Sequence, residues 1–413
     1  MMLSTEFVLE AFLSTGKLKT TRYRYAKLEN SLGLLFCLCL LQLFLCGGAR
    51  SVVANAAGPE STRVDTASSS KGWKSLRPKL SAWGLVYLPK VYYTTERGFG
   101  VGGQIIRPFR WPNGEASLDR SDVRLKGRIT TKGQSEVESV LNLKWGQGRY
   151  YLRSKVNFNN LALRYYGIGP DTPDSNEEVY QPQQVRAYVE FYRRFFSHLK
   201  IGVRYEFEHF KFLEVEPNRL LDTDRIRATV DKNTVGAGIL LDWDTRDRKH
   251  SPTSGSYYQA FAIFFDDELG SEHDFNNYHI DLKNYFSAAP GHVLASQFFV
   301  YAAKGSPPFW RMAALGGRAH SRGYRKGRYL DRVLFAFQGE YRAQVWWRFG
   351  LVGFAGVACV TRTLRRLEFG LMRPTVGGGI RFRTGLEDRI RARLDIAAGE
   401  NTVRVYLSLD EAF

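Results

Sequence analysis

From about residue 78 to the last residue, apolar and polar side chains take turns along the chain. Val123, Leu125 and Ile129 alternate with Arg124, Lys126 and Arg128. Farther on, Leu141, Leu143 and Trp145 alternate with Asn142 and Lys144, and Leu199, Ile201, Val203, Tyr205 and Phe207 with Lys200, Arg204, Glu206 and Glu208. A two-residue period places the two sets on opposite faces of a sheet, and no convincing 3.6-residue period competes with it. The pattern predicts about sixteen strands, near 80–89, 98–109, 120–131, 135–146, 149–158, 183–195, 198–213, 233–244, 256–266, 275–287, 292–304, 333–346, 348–361, 375–384, 389–398 and 402–410.

Strands of a soluble sandwich average about five or six residues and turn their apolar face inward. These are about twice as long, matching the roughly 9–11 residues that cross a bilayer at a tilt. Tight connections such as Gln147–Gly148, Phe196–His198 and Ala289–Gly291 alternate with longer ones, as short periplasmic turns alternate with outside loops in outer-membrane barrels. The fold expected is all-β, a transmembrane antiparallel up-and-down barrel over 78–413. Aromatic residues make up 14% of the chain, and Trp111, Trp145, Tyr150, Trp346 and Trp347 fall near strand ends, where interfacial girdles lie.

The net charge of +18 would suggest nucleic acid if it were clustered on one helix or tail. It is spread instead at every second position of the strands, so no nucleic-acid partner is expected. With the apolar faces toward lipid, Arg124, Lys126, Arg128, Lys144, Arg153, Lys155, Arg204, Arg342, Arg381, Arg383, Arg391 and Arg393 point into the barrel. Glu190, Glu206, Glu208, Glu340 and Asp395 join them. The lumen is therefore expected to be wet and positive, and too wide for wall side chains alone to fill.

Residues 1–56 read as a signal region, with a basic stretch, the apolar run LGLLFCLCLLQLFLC and an Ala-x-Ala site at Ala54 and Ala56. An uncleaved anchor is the alternative, and the start codon could lie downstream of Met1. A lipid-modified Cys46 fits poorly, because Leu45 stands where a small residue is wanted. Residues 57–77 are small and polar and read as a flexible linker. Cys37, Cys39 and Cys46 share the apolar run, which leaves Cys359 alone and excludes a disulfide framework or cysteine metal site in the rest. No Gly-x-Ser-x-Gly or His-Glu-x-x-His occurs, the seven histidines are scattered, and His273 with His279 is the sole metal-pair candidate. No enzyme, cofactor or metal site is expected.

The connection 305–332, between the eleventh and twelfth strands, contains Gly316, Gly317, Gly323 and Gly327 and can fold sharply back into the lumen as a plug. Its sequence, LGGRAHSRGYRKGRYLDRVLFAFQGEYR, resembles the sixth-loop region of the BamA/TamA superfamily of outer-membrane assembly barrels, the bacterial surface antigen family. That family carries Val-Arg-Gly-Phe/Tyr there; this chain has Ser321-Arg322-Gly323-Tyr324, departing at the first position. YYGIGPDT at 165–172, DWDTRDRKHSPTSGSYY at 242–258 and GGGIRFRTGLEDRIRARLDIAAG at 377–399 resemble further family stretches, and Phe413 resembles the usual terminal aromatic.

The resemblance implies that Arg322, with Gly323 and Tyr324, is held in the lumen by wall carboxylates, and Glu340 and Asp395 are the expected partners, Asp395 slightly ahead. Where the family places an acid in the thirteenth strand, Gly356 stands here, so a looser plug is expected. The family's periplasmic POTRA domains do not fit in the 21-residue linker, which suggests a barrel-only member. The implied role is protein insertion or translocation, or lipid transport, in the outer membrane of a Gram-negative bacterium after signal-directed export. The implied partners are outer-membrane lipids and lipopolysaccharide, an unfolded outer-membrane protein or lipid cargo, and a separate periplasmic protein. The seam between the first strand, weakened by Gly84 and Pro89, and the last is the expected lateral opening. A plugged passive channel preferring anions is the alternative.

Overall fold

The computed structural model describes residues 86–94, 98–110, 120–223, 226, 229–383, 391–409 and 411–413. The predicted signal region, the linker, Gly84 and Trp111 lie outside the described residues. The strands are β1 (Val86–Thr94), β2 (Gly98–Arg110), β3 (Arg120–Thr130), β4 (Ser135–Trp145), β5 (Tyr150–Asn159), β6 (Leu163–Tyr165), β7 (Glu178–Arg194), β8 (Leu199–Glu214), β9 (Lys232–Asp244) and β10 (Gly255–Phe265). Then follow β11 (Phe275–Ala289), β12 (His292–Gly305), β13 (Ala313–Leu315), β14 (Tyr329–Asp331), β15 (Val333–Trp346), β16 (Phe349–Thr361), β17 (Arg373–Arg383), β18 (Arg391–Gly399) and β19 (Thr402–Leu409).

Apart from the three-residue strands β6, β13 and β14, these are sixteen long strands, each paired antiparallel with the next long strand in the chain. The first runs from Val86 rather than ending at residue 89, because Pro89 does not stop it. Pro89 sits opposite Gly103 in the ladder with β2. An edge strand needs no donated hydrogen bond on its free side, so proline is tolerated there. Among the described residues no ladder links β1 to β19.

The outward face is apolar and open: Val403, Val405 and Leu407 of β19 are 65%, 64% and 80% exposed. The inward face is polar and buried, with Glu206, Asp281, Gln297, Glu340, Arg381 and Asp395 shielded from solvent. This inversion of a soluble protein is what a lipid-facing barrel requires, since acyl chains accept the greasy face and the bore accepts the charges. At one end Trp346 and Trp347 stand exposed, Trp346 stacked on Phe349 at 6.0 Å, and Trp145 stacks on Tyr150 at 5.7 Å. Their place fits the predicted girdle.

Turns 146–149, 195–198, 245–254, 290–291 and 347–348 share that end, and loops 160–177, 215–231, 266–274, 306–332 and 362–372 share the other. In turn 245–254, Asp247 accepts hydrogen bonds from Thr253 N (2.8 Å), Thr253 Oγ1 (2.6 Å) and Ser254 N (3.2 Å), which closes the link between β9 and β10.

The curvature of the sheet follows from loop 306–332. Arg311 meets Glu206 on β8, and Arg322 meets Asp395 on β18. Those strands are eight spacings apart in the sheet, about 38 Å if it were flat. Eleven residues folded around a hairpin tip bridge them only because the sheet wraps around the loop. Around sixteen strands, eight is half the circuit, so the loop spans the bore from wall to wall.

Candidate functional site, a loop held by two arginines

The loop leaves β12 at Gly305, whose φ of +97° and close approach to Asp274 O exclude a side chain. A single helical turn, Phe309–Arg311, follows Pro308. Phe309 packs edge-on against Tyr165, Tyr180 and Phe210, and Trp310 stacks on Phe210 at 4.2 Å. This aromatic cluster takes in Leu221 from loop 215–231 and Leu330 from β14, roofing the loop end of the bore.

Arg311 anchors the near side. Its Nη1 lies 2.7 Å from Glu206, its Nη2 2.5 Å from Glu208, and Nη2 also donates to Thr234 Oγ1 at 3.3 Å. All three charged groups are buried. A guanidinium is retained in such a place only when carboxylates answer it.

β13 and β14 then form a hairpin, with Ala313 opposite Asp331 and Leu315 opposite Tyr329. Gly316 has φ +107°, and a Cβ there would strike Arg325 O. Ser321, where the resembled motif has valine, accepts a hydrogen bond from Gly316 N at 2.7 Å. The hydroxyl ties the tip together from within.

At the far wall Arg322 is fully buried. Nη2 pairs with Glu340 Oε2 at 2.8 Å, Nη1 donates to Asp395 Oδ2 at 2.9 Å, and Nη2 donates to Gln338 Oε1 at 3.3 Å. Its guanidinium carbon rests 3.4 Å from the centroid of Phe354, adding a cation–π contact in a dry setting. Gly323 has φ +106°, and a Cβ would come within 2.8 Å of the Ala398 carbonyl, so the loop backbone lies directly against β18. Gly323 N donates to Tyr406 on β19 at 3.0 Å. Tyr324 donates to Pro374 O at 3.1 Å and accepts from Glu400 N at 2.8 Å. The structure thus brings together Arg322, Gly323, Tyr324, Glu340 and Asp395.

The expected weakness at Gly356 has a different outcome. A Cβ there would lie 2.8 Å from Gln338 Cβ, its partner across the β15–β16 ladder. The small residue leaves room for Gln338, which bonds Arg322, Gln297 Oε1 (2.7 Å) and Ala319 O. A neutral neighbour on the next strand stands where an acid was expected.

The sequence does not single out Arg311 or Arg328, and it places Arg381 and Arg342 in the lumen without their partners. Arg311 was passed over although its acids were recognised as lumen-facing. Arg381 bridges Asp395 (2.5 Å) and Glu411 (2.6 Å), and Arg342 pairs with Glu340 at 2.7 Å, so one charged network runs from the loop to the chain's last residues. Phe413 turns inward onto Tyr285 and Ala295 rather than prolonging β19. Arg328 meets Asp174 (2.9 Å), Thr172 O (2.8 Å) and the ring of Tyr166. Gly169 N donates to Leu330 O at 2.7 Å, so YYGIGPDT is the segment that clasps the hairpin. The signal for it was the pair of glycines, Gly167 and Gly169, both at positive φ.

His273 and His279 have different neighbours: His273 Nε2 lies 2.9 Å from Thr229 O, and His279 stacks on Phe261 at 4.4 Å. Among the described residues no group of three or more His, Cys, Asp or Glu is placed to hold a metal ion.

Residues 126–409 match the Omp85 superfamily domain. Among solved structures the chain is similar to BamA from Haemophilus ducreyi lacking POTRA domains 1-3, with a TM-score of 0.55 and 11% identity over 79% of this chain and 69% of that one. It is also similar to CdiB from Acinetobacter baumannii (TM-score 0.50, 11% identity, 79% of this chain and 59% of that one). CdiB from Escherichia coli gives a TM-score of 0.53 and 8% identity over 79% of this chain and 61% of that one. The chain therefore spans less than two thirds of the two CdiB chains. At such identities the likeness is one of fold. No curated protein matches the chain.

Proposed function

Because this chain belongs to the Omp85 superfamily, we propose that it is an outer-membrane transport barrel, moving polypeptide or lipid into or across that membrane past a loop that closes its bore. The observation that carries this reading is the buried Arg322, held by Glu340 and Asp395 from two separate strands. A passive scaffold has no use for a charged loop residue in a dry site, whereas a gate needs a docked state that is specific and a release that leaves the wall charges matched. Glu340 keeps Arg342 and Asp395 keeps Arg381 when the loop departs.

The seam between β1 and β19, where no ladder is described, is the proposed exit toward lipid. Outer-membrane lipid, including lipopolysaccharide, is its surrounding, and an unfolded outer-membrane protein or a lipid is the proposed cargo. A separate periplasmic protein is the proposed deliverer.

The test is depletion of the protein, followed by comparison of outer-membrane protein and lipid content. Loss of particular barrels or lipids is expected; an unaltered envelope overturns the reading. A cysteine pair placed across the seam refines it: oxidation should stop transport and reduction restore it. The second reading, a plugged anion-preferring channel, draws on the inward arginines, and it predicts normal envelope composition with conductance that depends on the loop.

A further inference from the structure

At the turn end of the bore lies a cavity of about 270 Å³ lined by Arg248, Arg342, Arg383 and Arg391, with the hydroxyls of Thr253 and Ser287 beside them. Among the described residues no carboxylate lines it. Among the described residues the nearby acids are shared out already: Glu340 answers Arg322, Arg342 and Arg381, Glu411 answers Arg381 and Arg391, and Asp247 lies 3.5 Å from Arg248 while accepting from Thr253. Arg383 donates to Trp347 O at 2.9 Å, a neutral carbonyl. Arg342 is 2% exposed, yet its Nη1 has no hydrogen-bond partner, and neither has the buried Nε of Arg383. Unsatisfied donors of this kind are costly unless something answers them.

We propose that this cavity binds a phosphate group. Four guanidiniums around one space, with Arg342 Nη1 and Arg383 Nε still to be answered, suit a multiply charged tetrahedral oxyanion better than a halide, and the Ser287 hydroxyl can add a contact. The space is several times the roughly 30 Å³ share of one water, which admits such a group. Surplus positive charge reaches beyond the cavity wall. Lys249 stands next to Arg248 in the turn. Burial, then Lys144, Lys200, Arg124 and Arg246, push its ammonium down to about 8. The inference is independent of the transport reading, and its failure leaves that reading standing.

Free phosphate and the headgroup of a phospholipid carry the same chemistry, and the experiment separates them. The full chain in neutral detergent is titrated calorimetrically with inorganic phosphate, with dihexanoyl phosphatidic acid, and with chloride. Saturable phosphate binding is expected, weakened at least tenfold in Arg383→Gln/Arg391→Gln, a difference of about 1.4 kcal/mol. Arg248→Gln, in the turn, gives the same direction of change should the double variant fail to fold. Competition between the lipid and phosphate identifies a headgroup site; phosphate binding that the lipid does not disturb identifies the free ion. Absence of saturation by ~10 mM phosphate, or equal affinity in wild type and variants, overturns the proposal.

Discussion

Arg322 Nη1 and Asp395 Oδ2 stand 2.9 Å apart inside the barrel, neither side chain touching solvent. Breaking a buried pair costs about 3–5 kcal/mol when it strands a charge. In Arg322→Ala neither acid is stranded, because Arg342 and Arg381 remain, so the loss of loop docking falls near the lower figure, about 3 kcal/mol. Planar-bilayer recordings should show anion-selective conductance larger in the variant than in wild type. Identical conductance removes the plug assignment.

Arg311 sits at the opposite wall and has fewer substitutes behind it. Glu208 keeps only Gln184 as a side-chain hydrogen-bond partner, and Glu206 keeps Arg186 and Arg204 at 3.6 and 3.5 Å. Arg311→Met should therefore destabilise the folded barrel more than Arg322→Ala, by about 3–5 kcal/mol, because it leaves carboxylates buried without their main cation. The heat-modified gel shift of the detergent-folded protein reads this directly. A smaller effect than that of Arg322→Ala contradicts the assignment.

Gly323→Ala tests backbone contact without touching a charge. A methyl group would meet the Ala398 carbonyl at 2.8 Å, at a φ that also disfavours alanine. Gly327, at φ +81°, has its nearest neighbour, Arg164 O, at 4.0 Å. Gly327→Ala bears the conformational penalty alone, on the order of 1 kcal/mol, and Gly323→Ala bears it plus displacement from β18. Limited proteolysis within 306–332 should accelerate clearly in Gly323→Ala and little in Gly327→Ala.

His320 gives the loop a pH dependence. Stacked on Phe299 at 3.7 Å, it has its pKa pushed down to about 4, first by burial, with Asp281 opposing and Lys283 and Lys326 reinforcing. Released, it returns to about 6.5. The docked loop binds fewer protons than the released one, so docking is at full strength above pH 6.5 and weakens as pH falls from there toward 4. Conductance at pH 5 should exceed that at pH 7.5 by roughly tenfold, and His320→Gln should flatten the difference.

The long strands were legible because a two-residue period survives wherever one face meets lipid and the other a bore. That parity also placed Glu340 and Asp395 on the inner face, and the loop motif singled out Arg322. Parity tells a face, not a height or an angle around the barrel. Arg311 therefore could not be matched with Glu206 and Glu208, nor Arg381 with Glu411, and Gln338 could not be seen to fill the room at Gly356. β6, β13 and β14, at three residues each, are too short to alternate visibly. Phe413 follows a strand in sequence but folds inward, a choice made by Tyr285 and Ala295 across the bore.

A segment gripped at both ends by opposite walls acts as a tie rod. While Arg311 and Arg322 both hold, the barrel's cross-section cannot ovalise, and freeing either end lets the cylinder flex. Girth and occlusion are then a single mechanical variable, so whatever pulls the rod loose also changes the width through which cargo would pass.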